Sequence, residues 1–96
     1  MYRIYTEDKN RESIFRILDA EVDGYTVTPS IGCWKGQREA SLAIDLVDTS
    51  VKTVRRIAAL ILEANHQESV LVVGLPSQSF FVTEPVYPDR AAHLAA

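Results

Sequence analysis

The 96-residue sequence predicts an α+β sandwich, an antiparallel sheet with two helices on one face, in the order βαββαβ. Three observations lead there. Two segments carry apolar residues three and four apart, the spacing of a half-buried helix. Four shorter segments alternate, or run apolar, over strand lengths. The connections between them are rich in Gly, Pro, Asn, Asp and Ser, the residues that turn a chain.

Each element has its own warrant. "YRIYT" alternates β-formers and opens the chain as a strand over 2–6. "EDKN" breaks it, and Asn10 is placed to cap a helix over "RESIFRILDAEV". There Ile14, Ile17, Leu18 and Val22 share one face, with Phe15 on its border, and Asp23-Gly24 stops the helix. "YTVTPSIGCW" follows as a second strand. Pro29 has no amide hydrogen, so that strand is expected at a sheet edge or bent by a bulge. The third strand is "SLAIDLV", with Leu42, Ile44 and Leu46 on one face.

"DTS" offers N-caps for a second helix over about 50–64, with Val51, Val54, Ile57, Ala58, Ile61 and Ala64 as its apolar stripe. The unbroken apolar run of "ESVLVVGL" predicts a fourth strand buried on both faces. After a "PSQS" turn, "FFVTE" is a candidate fifth strand. The whole reads as a single ferredoxin-like domain over 1–84. The segment 85–96, with Pro85, Pro88 and an alanine-rich end, is expected to be a loosely ordered tail.

Composition excludes several functions. A net charge of −3 and a pI near 5.3 argue against a nucleic-acid clamp, which needs clustered basic charge. Lys52, Arg55 and Arg56 do cluster, but three cations on a helix read as a solvated face. No run approaches the ~20 apolar residues that span a bilayer, and Met1-Tyr2-Arg3 leads into a strand rather than a secretory signal. With one cysteine there is no internal disulfide, so the expectation is a cytoplasmic protein in a reducing compartment. Small size favours self-association, because a copy can cover surface that a small monomer leaves wet.

The chemistry-bearing residues are few. His66, His93 and Cys33 show no metal-ligand spacing, and no metal or cofactor is expected. Cys33 reads as a small buried residue rather than a nucleophile. Gly32-x-x-x-Gly36 is not a phosphate-cradling loop, and no Ser/His/Asp signature is present. What remains is "GCWKGQREAS", with Trp34 and Glu39 at the corner between the second and third strands, and the polar cluster "NHQE" (Asn65 to Glu68).

Two readings of these residues stay open. In the first, they are hairpin and helix exit: Trp34 packs an edge, Glu39 is solvated, and Asn65 caps the helix. In the second they bind a cationic small molecule. An indole face attracts an organic cation by ~0.5–2 kcal/mol, and a carboxylate adds charge complementarity as water is excluded.

At these residues the sequence resembles the bacteriophage-encoded S-adenosylmethionine lyases, also described as S-adenosylmethionine hydrolases. The resemblance rests on Gly32-Cys33-Trp34, then Arg38-Glu39 before "ASLAIDL", and the helix "VKTVRRIAALILEANH". Gln67-Glu68-Ser69-Val70-Leu71-Val72 and Ser77-Gln78 continue it in the same order. It implies a fold similar to the trimeric PII-type ferredoxin-like proteins, with the ligand held between neighbouring subunits of a homotrimer.

The implied activity is cleavage of S-adenosylmethionine to 5′-methylthioadenosine and homoserine lactone or homoserine, without metal or cofactor. In a phage-infected bacterial cytoplasm this would deplete the methyl donor and blunt restriction–modification. No nucleic acid or membrane partner is implied. Carried over by position, Glu39 is the catalytic candidate and Trp34 stands where the family has a tyrosine, so the phenolic hydroxyl is absent. Ser30, Ile31 and Cys33, with Gln67, Glu68 and Val70, would line the substrate pocket. The Trp34-to-Glu39 spacer is shorter than the family's.

Two further functions belong to other classes. A non-catalytic trimer of PII-like plan would bind a nucleotide-like ligand and release it intact. A structural or protein-interaction module would neither bind nor cleave it.

Overall fold

The structure is a computed structural model and describes residues 1–74 and 78–85. Strand alternation organises it. β1 (Tyr2–Glu7), β2 (Thr26–Trp34), β3 (Gln37–Leu46), β4 (Val70–Gly74) and β5 (Gln78–Val82) form one antiparallel sheet in the order β2-β3-β1-β4-β5. Helices α1 (Arg11–Glu21) and α2 (Val51–Asn65) complete the βαββαβ ferredoxin-like arrangement, and β5 adds a strand at the β4 edge. The expected tail beyond Pro85, and the turn over 75–77, lie outside the described residues.

The core follows from register. Ile4 pairs with Ile44 on one side and Val72 on the other, and all three are fully buried beneath the helices. The helix layer adds Ile14 and Leu18 from α1, and Val54, Ile57, Ala58 and Ile61 from α2, each 0% exposed. Burying each large aliphatic side chain contributes ~1.5–3 kcal/mol, which offsets the entropy of ordering the strands. At the sheet's far edge the Arg55 guanidinium lies 4.2 Å from the Phe80 ring centroid, tying β5 to α2. Among the described residues no helix is long and apolar enough to cross a membrane.

Four expectations need correction. β4 is not buried on both faces: Val70, Val72 and Gly74 are buried while Leu71 and Val73 are half-buried. No helix among the described residues covers its other face. Asn10 holds the N-cap position of α1 as expected, but its side chain makes no cap bond; it is left-handed (φ 49°), and its Nδ2 donates instead to the Ala64 carbonyl at 3.2 Å. Asparagine tolerates that conformation, and here it tethers the two helices. Ser50, by contrast, caps α2 as expected, its Oγ accepting from the Thr53 amide at 3.2 Å. β3 begins at Gln37, four residues earlier than its apolar pattern suggests. Finally, Asn65 is the last helical residue, and the cap position falls to His66.

The exit from α2 is a sharp turn. His66 is left-handed (φ 54°), and the amides of His66 and Gln67 reach back to the Glu63 and Leu62 carbonyls. This is a Schellman closure made without glycine. It carries the chain from α2 into the 66–69 segment and then into β4.

Candidate functional site

β2 and β3 outrun the rest of the sheet. The last β1–β3 pair is Glu7 with Ser41, and beyond it the two strands pair with each other as far as Trp34 and Gln37. Lys35 (φ 50°) and Gly36 (φ 79°) close this ribbon, the positive angles that a two-residue hairpin turn of type I′ requires. The register is unbroken from Thr26–Asp45 to Trp34–Gln37, so Pro29, opposite Leu42, is accommodated by the edge position and not by a bulge.

Alternation then assigns faces. Ile44 and Leu42 face the helices, so Ser30, Gly32 and Trp34 of β2 lie on the helix-free face with Glu39 and Ser41 of β3. Trp34 and Glu39 are diagonal neighbours there, because Trp34 opposes Gln37. Ile31 and Cys33 project from the other face. Cys33 is exposed, which corrects the expectation of a buried cysteine: it sits where the ribbon has passed beyond the core that would cover it.

Between the ribbon, the end of β1 and the 66–69 segment lies a cleft of about 730 Å³. Ser30, Ile31, Cys33, Trp34, Glu39, Gln67 and Glu68 all line it, although they come from two widely separated stretches of sequence. Val70 does not. Its side chain is 1% exposed and belongs to the core, because β4 turns that position toward the helices. Tyr5, Thr6, Glu7 and Lys35 also line the cleft and were missed in the sequence. Thr6 carried a signal: it continues the buried phase of Tyr2 and Ile4 as a polar residue. Asn65 carried the same signal on α2, one turn beyond buried Ile61, and it is 2% exposed.

The lining is acidic, with Glu7, Glu39 and Glu68 against one lysine, Lys35. Glu7 has a cation nearby, Lys9 Nζ at 3.7 Å. Glu39 and Glu68 have no side-chain hydrogen-bond or ion-pair partner among the described residues. Trp34 is 55% exposed, and Lys35 Nζ stands 5.9 Å from its ring centroid. The cleft therefore offers free negative charge and an accessible indole to a cationic ligand, and one resident lysine to a carboxylate. Among the described residues, no group of three or more His, Cys, Asp or Glu side chains could hold a metal ion.

A second cleft, of about 540 Å³, opens at the opposite end between the α1 exit and the start of α2. It too is acidic, but several of its polar groups are engaged locally. Asp45 takes two hydrogen bonds from Arg3, Glu21 pairs with Arg56, and Asp19 accepts from the Tyr25 hydroxyl, whose pKa that bond raises. Asp23 and Asp48 keep no side-chain partner among the described residues, just as Glu39 and Glu68 keep none in the ribbon cleft, but no tryptophan lines this second cleft.

The chain is thus an α+β protein of ferredoxin-like plan whose ribbon and helix exit converge on an acidic, aromatic cleft. Residues 3–91 match the model of the S-adenosylmethionine lyase family, and the chain belongs to that family, which is a family of enzymes. A solved structure described as a phage SAM lyase in its apo state is similar in fold, with a TM-score of 0.68 over 90% of each chain at 18% sequence identity. No curated protein matches the sequence.

Proposed function

We propose that the chain cleaves S-adenosylmethionine to 5′-methylthioadenosine and homoserine lactone, or homoserine after the lactone opens, and that the ribbon cleft is where it does so. The observation that carries this reading is the convergence in one cleft of Trp34, Glu39, Gln67 and Glu68, in a member of the lyase family. In the proposed step a carboxylate oxygen of the substrate attacks its own γ-carbon. The carbon–sulfur bond breaks, and its electron pair stays on sulfur as a neutral thioether. A sulfonium and a carboxylate vanish together, so a site that replaces water with fixed groups lowers the barrier. Holding the methionine tail folded for attack supplies much of the remainder.

Glu39 orients the substrate's cationic groups in this scheme, and Trp34 lies against the sulfonium side. No proton needs to move in the bond-breaking step, so no acid–base pair is required. The exposure of Ile31 (78%) and Trp34 (55%) supports assembly as a homotrimer in which a neighbouring copy covers the cleft and excludes water from it. In a phage-infected cell the consequence would be loss of the methyl donor on which restriction–modification depends.

The test is incubation of purified protein with S-adenosylmethionine, followed by chromatography and mass spectrometry for 5′-methylthioadenosine. Glu39→Gln and protein-free controls allow for spontaneous decay. Product well above the blank is expected, with kcat/KM lowered about 100-fold by Glu39→Gln, the scale of losing one charged contact at a reacting centre. Binding with the ligand recovered intact would instead support the non-catalytic trimer.

A further inference from the structure

Behind the cleft, three polar side chains from three elements meet in the interior. Thr6 (3% exposed) and Asn65 (2%) are buried, and Gln67 is half-buried at the cleft wall. The Thr6 hydroxyl donates to Gln67 Oε1 at 2.6 Å, and Asn65 Nδ2 donates to the same oxygen at 2.8 Å. Gln67 Nε2 donates to the Ser69 carbonyl at 3.2 Å, and Asn65 Nδ2 also lies 3.4 Å from the Glu7 carbonyl.

Carbonyl oxygens only accept, so they fix both carboxamides. Ser69 requires nitrogen on its side of Gln67, which leaves Oε1 toward Thr6 and Asn65. Glu7 and Gln67 Oε1 together require nitrogen on that side of Asn65. One consequence is unfavourable: Asn65 Oδ1 is buried without a partner. A leucine of similar shape would avoid that orphan acceptor, so packing alone does not account for asparagine at this position. What asparagine does, with Thr6, is saturate Gln67 Oε1. The Gln67 nitrogen spends one hydrogen on Ser69 and keeps the other.

We propose that Thr6 and Asn65 are positioning residues that lock the Gln67 carboxamide, so that Gln67 meets the ligand as a hydrogen-bond donor only. The recognised group is an acceptor atom, a carboxylate oxygen or an unprotonated ring nitrogen. A freely rotating glutamine would offer donor and acceptor equally; the lock removes the second option. The identity of the ligand rests on the lyase reading, whereas the lock itself does not.

Nitrogen-15 NMR of the Gln67 side chain tests the lock in the folded protein without turnover. In the wild type its two amide protons should be well separated, with the one donated to the Ser69 carbonyl slow to exchange with water, and Thr6→Val should move both toward free-carboxamide values. Free-carboxamide behaviour in the wild type overturns the proposal. Kinetics test its use. Thr6→Val should raise KM for S-adenosylmethionine about tenfold with kcat within about twofold, the signature of lost uniform binding. Thr6→Ser should restore KM.

In a Gln67→Leu background Thr6→Val should have no further effect, because the two act through one contact. Fully additive effects would mean that Thr6 is merely structural, and would overturn the positioning role. If the wild type forms no 5′-methylthioadenosine, the lyase reading fails separately, and the amide spectrum alone decides the lock.

Discussion

At the helix-covered centre of the sheet Ile4, Ile44 and Val72 are fully buried, whereas farther along the same sheet Ile31 is 78% exposed and Trp34 55%. The two regions share strands, register and residue types. They differ in what lies above them: α1 and α2 cover the centre, and nothing in the chain's described residues covers the ribbon. At the centre, apolar area is spent on stability. At the ribbon, an indole stands exposed and the Glu39 and Glu68 carboxylates have no side-chain partner among the described residues.

The largest effect that could break this comparison is a pair of truncations. Ile44→Ala should cost ~2–5 kcal/mol of unfolding free energy, the range for a buried aliphatic cavity. Ile31→Ala should stay within ~0.5 kcal/mol, as surface changes do. Urea denaturation at low protein concentration reads both. A cost at Ile31 approaching that at Ile44 would show that the ribbon is packed in the isolated chain.

A smaller effect sharpens the ribbon's role. Trp34→Ala removes an accessible indole worth ~0.5–2 kcal/mol to a cation, a few-fold to about thirtyfold in KM. The thermal midpoint should hold. A fall in midpoint with unchanged KM would return Trp34 to edge packing.

The smallest effect lies outside both regions. Arg11 donates two hydrogen bonds of 2.7 Å to Asp8 at the start of α1, and this holds the Asp8 pKa below its ordinary value of 3.8. A lowered carboxylate pKa contributes stability that is fully present above the unfolded value and is lost as pH falls through the folded one. Asp8→Asn should therefore lower the urea midpoint slightly near pH 7, with the two proteins converging as pH falls through the lowered Asp8 pKa. The exposed position keeps the difference small. A gap that persists once Asp8 is protonated in the folded protein would assign it a role beyond its charge.

Much of the sandwich was legible because burial imposes periodicity. Ile14 and Leu18, Val54 to Ile61, and the alternation of Leu42, Ile44 and Leu46 are consequences of one covered face. The ribbon was harder to read. "QREA" has no apolar phase, so the start of β3 is set by pairing with β2 and by the Lys35-Gly36 turn, not by hydrophobicity. Alternation also cannot show that a strand runs past its core, which is why Cys33 read as buried.

The cleft's two halves are some thirty residues apart in sequence, and only the β1–β3 and β1–β4 registers bring them together. Thr6 and Asn65 were visible as polar residues in apolar phase. Their partner was not, because the Schellman turn at His66 sets where Gln67 points.

The central claim is that the cleft promotes attack by the substrate's own carboxylate rather than by water. Incubation with S-adenosylmethionine in oxygen-18 water, with mass spectrometric localisation of the label, tests it most directly. The account predicts 5′-methylthioadenosine together with unlabelled lactone, and homoserine that carries the heavy oxygen in its carboxyl group only. Label in the γ-hydroxyl would mean direct attack by water, and absence of 5′-methylthioadenosine from the folded protein would contradict the lyase reading itself.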